Sequence, residues 1–143
     1  MSRNTNKYAM MVEWHLFREK EIKQAVDEAR LDVASTRAGG SAIISSPTES
    51  AALRNITPLS KVVLSDGSEV VKPELWLLSI KKIYAGLDKK QKTIARKRYR
   101  QGESYTRTCM SLEISQNTYF HTLNSIRSYA VVVAVQAGLV KVF

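Results

Sequence analysis

The sequence predicts a mainly α-helical protein, with an N-terminal amphipathic helix, a middle segment able to hold a short β-hairpin, and a C-terminal helix-turn-helix bundle. Three observations carry this. Apolar residues recur at helical steps over 7–35, 73–86 and 116–137. Capping residues Asp88, Ser104 and Ser115 stand before helical runs, and Gly86 and Gly102 stand after them. β-Branched runs are confined to one stretch, where Val62-Val63-Leu64 and Val70-Val71 flank Ser65-Asp66-Gly67-Ser68.

These signals divide the chain into 1–35, 36–72 and 73–143. In the first, Tyr8, Met11, Val12, His15, Leu16, Ile22, Val26 and Ala29 share helical spacing, while Glu13, Lys20, Glu21, Lys23, Asp27 and Glu28 fall mostly elsewhere, predicting one amphipathic helix. Its near-neutral charge suits a packing or dimer element rather than a DNA binder. Gly39 and Gly40 among small polar residues predict a loop over 35–45. Ser46, Pro47, Thr48 and Glu49 supply a cap, a first-turn proline and a glutamate three after the cap, predicting a short helix through Leu53 and Ile56 that Pro58 ends. Asp66-Gly67 between β-branched runs predicts a hairpin, with a flexible loop as the other reading.

Pro73-Glu74 opens a helix with Leu75, Trp76, Leu78, Ile80, Ile83 and Tyr84 as its apolar set. Trp76 and Trp14 read as core anchors in preference to base-stacking residues. Asp88 caps a helix to about residue 101, with Leu87, Ile94, Ala95 and Tyr99 inward and the Lys/Arg set outward. Ser104 caps a short helix that packs through Tyr105, Thr108, Cys109 and Leu112. Cys109, the single cysteine, reads as a small buried hydrophobe rather than a reactive thiol. Leu112-Glu113-Ile114 is a tight connection, and Ser115 launches the last helix. There Tyr119, Leu123, Ile126, Ala130 and Val133 face the core, leaving Gln116, Asn117, Phe120, His121, Asn124 and Arg127 opposite. The valine-rich tail, 129–143, needs cover, which either the first helix or a second subunit supplies.

Charge points to a polyanionic partner. Of the net +9, residues 73–143 carry +8, with 12 of the 22 Lys/Arg and 4 of the 13 Asp/Glu. Residues 81–107 alone hold Lys81, Lys82, Lys89, Lys90, Lys92, Arg96, Lys97, Arg98, Arg100 and Arg107 against Asp88 and Glu103. A solvated basic face is the bland reading; the helix-turn-helix that follows favours a DNA backbone. Lys89, Lys92, Lys97, Arg98, Arg100, Arg107 and Arg127 are therefore candidate phosphate contacts. Gln116, Asn117, Thr118, Phe120, His121 and Asn124 are candidate base readers, because the start of a recognition helix reaches base edges in the major groove. Amide side chains can pair with adenine, and an aromatic ring can cover a thymine methyl. Ordinary polar filling of a first turn is the alternative for Gln116 and Asn117, and a surface histidine for His121.

Other classes fit less well. The longest apolar run, near 130–137, is too short to span a bilayer and is misplaced for a signal peptide, so a cytoplasmic protein is expected. No Cys/His cluster has metal-ligand spacing, and no cofactor is implied. The basic half offers Glu74, Asp88, Glu103 and Glu113 without paired spacing, which argues against an enzyme.

The run Leu87-Asp88 through Lys97-Arg98-Tyr99, then Gly102-Glu103-Ser104-Tyr105, Leu112-Glu113-Ile114-Ser115 and Thr118-Tyr119, resembles the fourth conserved region of sigma factors. The variant it resembles is that of phage late-gene transcriptional activators of the RinA and ArpU type. Ser46-Pro47-Thr48-Glu49 and Lys72-Pro73-Glu74-Leu75-Trp76 also look like RinA-type members, so the resemblance spans most of 45–130. It implies a phage or prophage regulator that binds a promoter region and switches on packaging, morphogenesis and lysis genes. Host RNA polymerase, contacted through the first helix, and a homodimer reading two half-sites are the partners in view. A small terminase subunit, forming a ring at a packaging site, is the competing reading. Arg107 stands where the family often has an acidic residue, Glu113 where glycine is common, and Phe120-His121-Thr122 where basic residues are frequent.

Overall fold

The computed structural model describes residues 3–40 and 58–141, with side chains described over 7–31 and 58–141. It is mainly helical with one small antiparallel sheet, as the periodicity predicts. In order, the elements are α1 (Arg3–Phe17), α2 (Glu19–Gly40), β1 (Lys61–Val63), β2 (Glu69–Val71), α3 (Pro73–Gly86), α4 (Lys89–Ala95) running on as a π-helical segment (Arg96–Arg100), α5 (Tyr105–Leu112) and α6 (Gln116–Gln136). They form two compact units, one of Lys20–Glu74 and one of Met1–Glu19 with Leu75–Phe143. The short helix expected over 46–56 lies outside the described residues.

The single N-terminal helix expected over 7–35 is instead two. At the break, the Arg18 side chain donates through Nη1 to the Trp14 carbonyl at 3.1 Å, the carbonyl that its own backbone N–H would use in a continuous helix. That N–H goes to the His15 carbonyl at 3.1 Å, tightening the turn. Of the loop expected over 35–45, the part up to residue 40 is helical, because α2 runs to Gly40, and the rest lies outside the described residues.

In the unit of Lys20–Glu74 the hairpin forms as Asp66-Gly67 predicts. Val62 pairs with Val70, Lys61 with Val71 and Val63 with Glu69. The turn is closed by Leu64 N–H to the Ser68 carbonyl (2.7 Å) and Gly67 N–H to the Leu64 carbonyl (2.9 Å), while Ser68 N–H donates to Asp66 Oδ1. Gly67 takes φ +92°, which a side chain would resist. Strand alternation buries Val62, Leu64 and Val70 and exposes Val63 and Val71. Glu74 gathers this unit by accepting Arg30 Nη2 at 2.7 Å and the Leu59 backbone N–H at 2.9 Å. Burial raises its pKa, but these donors outweigh it and hold the carboxyl below its ordinary value.

In the other unit, α1 packs along α6 and against the π-helical segment, and α4 and α5 both pack on α6. Val12, Leu16, Ile80, Ile83, Ile94, Tyr119, Leu123 and Ile126 are buried there; in the tail Ala130, Val133, Ala134 and Val140 are buried and Val132 is exposed. Trp76 is buried and its ring stacks on His15 at 3.6 Å between centroids. Trp14 is only half-buried, with the Arg18 guanidinium 4.1 Å above its ring. Leu78, expected in the apolar set, is exposed: it stands two residues from both Trp76 and Ile80, on the far side of the helix, and Ser79 takes the inward place. Met11 and Tyr105 are likewise more exposed than expected, and Cys109 and Leu112 are half-buried, whereas Thr108 is wholly buried.

Candidate nucleic-acid interface

Local chemistry builds the helix-turn-helix. Asp88 and Gln91 form a reciprocal capping box at the start of α4, Asp88 Oδ1 accepting Gln91 N–H at 2.8 Å and Gln91 Oε1 accepting Asp88 N–H at 3.0 Å. The helix ends in wide turns, with Gln101 N–H reaching the Arg96 carbonyl at 3.0 Å, and Gly102 at φ +66° turns the chain so that Glu103 N–H bonds to the Lys97 carbonyl. Ser104 Oγ caps α5 by accepting Arg107 N–H at 3.3 Å, and the Thr108 hydroxyl donates to Glu103 Oε1 at 2.8 Å. The turn to α6 hinges on Glu113, which is left-handed at φ 55°, ψ 46°. Its N–H and that of Ile114 both donate to the Cys109 carbonyl. The glycine-like geometry is thus adopted by a glutamate.

At the start of α6, Ser115 Oγ accepts the Thr118 N–H at 3.0 Å and donates to Thr118 Oγ1 at 2.9 Å. The Thr118 hydroxyl is therefore engaged in the cap and half-buried. Phe120, expected on the exposed side, is half-buried too: its ring lies 5.2 Å from Tyr105 and 5.1 Å from Tyr119. Apolar contact with α5 wins over solvent exposure at that position. The other four candidates, Gln116, Asn117, His121 and Asn124, are exposed. Asn117, His121 and Asn124 follow one another by four and three residues and so form a row on one helix face. Asn124 Oδ1 accepts a hydrogen bond from Arg127 Nη1 at 3.2 Å.

The cations separate into two groups. Lys89 and Arg107 are exposed and Lys92 is half-buried, and none of them has an ion pair among the described residues. The remaining four are paired within the fold. Lys97 lies 3.6 Å from Glu103, Arg98 3.2 Å from Glu13, Arg100 3.1 Å from Glu19, and Arg127 3.0 Å from Glu13. Arg100 also covers the Tyr84 ring at 4.0 Å. Burial of that phenol pushes its pKa up to about 12.

Glu13 is the hub. One carboxylate oxygen, Oε2, accepts the Tyr99 hydroxyl at 2.5 Å and Arg98 Nε at 3.2 Å, while Oε1 faces Arg127 Nε as an ion pair off the hydrogen-bond direction. Burial, then the Glu13 charge, drive the Tyr99 hydroxyl pKa far up, so the phenol stays a donor. Burial works against charge on Arg98, but Glu13 and the neighbouring tyrosines outweigh it and its pKa is raised. Sequence reasoning did not single out Glu13 or Glu19 as site residues. Their partners, Arg98, Tyr99, Arg100 and Arg127, all stand in the C-terminal half of the sequence, so no local spacing announces them.

Among the described residues, no helix is long and apolar enough to cross a membrane, and no group of three or more His, Cys, Asp or Glu is placed to hold a metal ion. No family model, curated protein or solved structure matches this chain.

Proposed function

We propose that this protein binds double-stranded DNA sequence-specifically through α5 and α6 and acts as a transcriptional regulator. The observation that carries the reading is the open polar row of Asn117, His121 and Asn124 at the start of a helix that follows a tight left-handed turn. Gln116 beside it is equally open, and Lys89, Lys92 and Arg107 supply cations that have no ion pair among the described residues. Such a surface offers base-edge donors and acceptors flanked by phosphate contacts. The likeness to RinA- and ArpU-type activators extends the proposal to late-gene activation in a phage or prophage, with a promoter region as the target and host RNA polymerase as a partner.

The test is selection of a preferred duplex from a randomised pool, followed by binding to that duplex and to a scrambled one. Asn117→Ala is expected to weaken the selected complex by about tenfold and leave the scrambled one nearly unchanged, the loss typical of one base contact. Equal losses on both duplexes would remove Asn117 from base reading, and failure of the wild type to enrich any sequence would refute specific recognition altogether.

A further inference from the structure

We infer that Arg127 is a specificity-positioning residue: anchored by Glu13 of α1, it holds the Asn124 amide in one orientation on the exposed face of α6. The inference rests on the DNA-binding reading above and changes the role of Arg127 within it from phosphate contact to internal support.

The geometry favours support. Arg127 Nε lies 3.0 Å from Glu13 Oε1, and the Glu13 side chain is only 12% exposed, so the cation is tied to a carboxylate well inside the fold. The other end of the same guanidinium, Nη1, donates to Asn124 Oδ1 at 3.2 Å. A guanidinium has donors and no acceptor, so it selects the oxygen side of the amide and the orientation of Asn124 is chemically determined. The Asn124 NH2 is then left to present donors outward, which suits a base edge rich in acceptors, such as guanine N7 and O6 or thymine O4. Glu13 itself is fixed by Arg98 and the Tyr99 hydroxyl. The fork is what makes this work: Nε meets the anchor while Nη1 meets the amide. A lysine ammonium is a single point and cannot serve both at these positions.

The experiment uses the full chain, the duplex selected by the wild type and a scrambled duplex, with Arg127→Lys and Arg127→Met compared over a range of salt. If Arg127 positions Asn124, both variants lose about tenfold in the ratio of selected to scrambled affinity, and both keep the wild-type salt slope on scrambled DNA. Adding Asn124→Ala to Arg127→Lys should then cost little more, because the amide has already lost its orientation. If Arg127 contacts phosphate instead, Arg127→Lys retains discrimination and Arg127→Met flattens the salt slope by about one; either result overturns the inference. Far-ultraviolet circular dichroism and thermal melting of each variant identify any loss of fold, and Glu13→Gln in a folded background should reproduce the loss of discrimination. A wild type without sequence preference would refute the DNA-recognition reading itself, an outcome separate from discrimination that survives Arg127→Lys.

Discussion

Glu113→Gly should make the protein more stable, although it removes a side chain and adds backbone freedom. Glu113 sits at φ 55°, ψ 46°, where a Cβ crowds the following carbonyl at a cost of about 1–2 kcal/mol. Its side chain is exposed and makes no hydrogen bond or ion pair among the described residues, so truncation breaks no contact. Glycine relieves the crowding but widens the unfolded ensemble, an offset of about 0.4–1 kcal/mol. The net gain is then about 0.5–1 kcal/mol, which corresponds to about 1–4 °C in Tm for a chain of this size. Urea denaturation of wild type, Glu113→Gly and Glu113→Ala isolates the effect, because alanine removes the same carboxylate but keeps the Cβ. Glycine should exceed alanine by the same net of about 0.5–1 kcal/mol, because both variants lose the carboxylate and only glycine loses the Cβ. If Glu113→Ala is as stable as Glu113→Gly, the left-handed turn is not under strain and the account given for this hinge is wrong.

Two further outcomes are expected. Burial beneath the Trp76 ring lowers the pKa of His15 from its ordinary 6.5, so the unfolded chain binds the proton more readily than the folded one. The contribution of His15 to stability is therefore full above pH 6.5 and is lost as pH falls below it. Urea midpoints measured from pH 7.5 to 5.5 should decline more steeply for wild type than for His15→Phe, and parallel declines would exclude this residue as the cause. On scrambled DNA, Lys89→Ala and Arg107→Ala should each reduce the slope of log affinity against log salt by about 0.9, whereas Lys97→Ala and Arg100→Ala should scarcely change it. Equal reductions at all four positions would mean that the paired cations leave Glu103 and Glu19 when DNA is bound.

What the sequence disclosed was chemistry acting over a few residues. Asp88, Ser104 and Ser115 cap their helices with their own side chains, because the acceptor and the N–H it satisfies lie three positions apart. Asp66-Gly67 specified its turn for the same reason. The break at Arg18 was hidden because it depends on a side chain taking the Trp14 carbonyl, and apolar spacing on either side continues without interruption. Phe120 was hidden because only the arrival of the Tyr105 ring makes it an inward residue. The charge pattern misled most: a run of Lys and Arg reads as one surface, yet Arg98 is paired with Glu13 of α1, Arg100 with Glu19 at the start of α2, and Lys97 with the nearby Glu103.

That sorting has a physical logic. A cation left in water is a mobile, screened charge that gains little from any single fixed partner, and Lys89 and Arg107, exposed and without an ion pair among the described residues, are of this kind. Arg98 and Arg127 are 24% and 28% exposed and share a carboxylate that is itself only 12% exposed. Removing either from Glu13 would leave a desolvated carboxylate short of a partner, at a cost well above that of separating a surface pair. A phosphate would have to repay that cost before it contributed any affinity. On the DNA-binding reading proposed above, the fold would separate two tasks that one basic stretch of sequence combines: Lys89 and Arg107 would serve affinity, and Arg98 and Arg127, paired with Glu13 of α1, would fix the position of the helix whose polar row supplies discrimination.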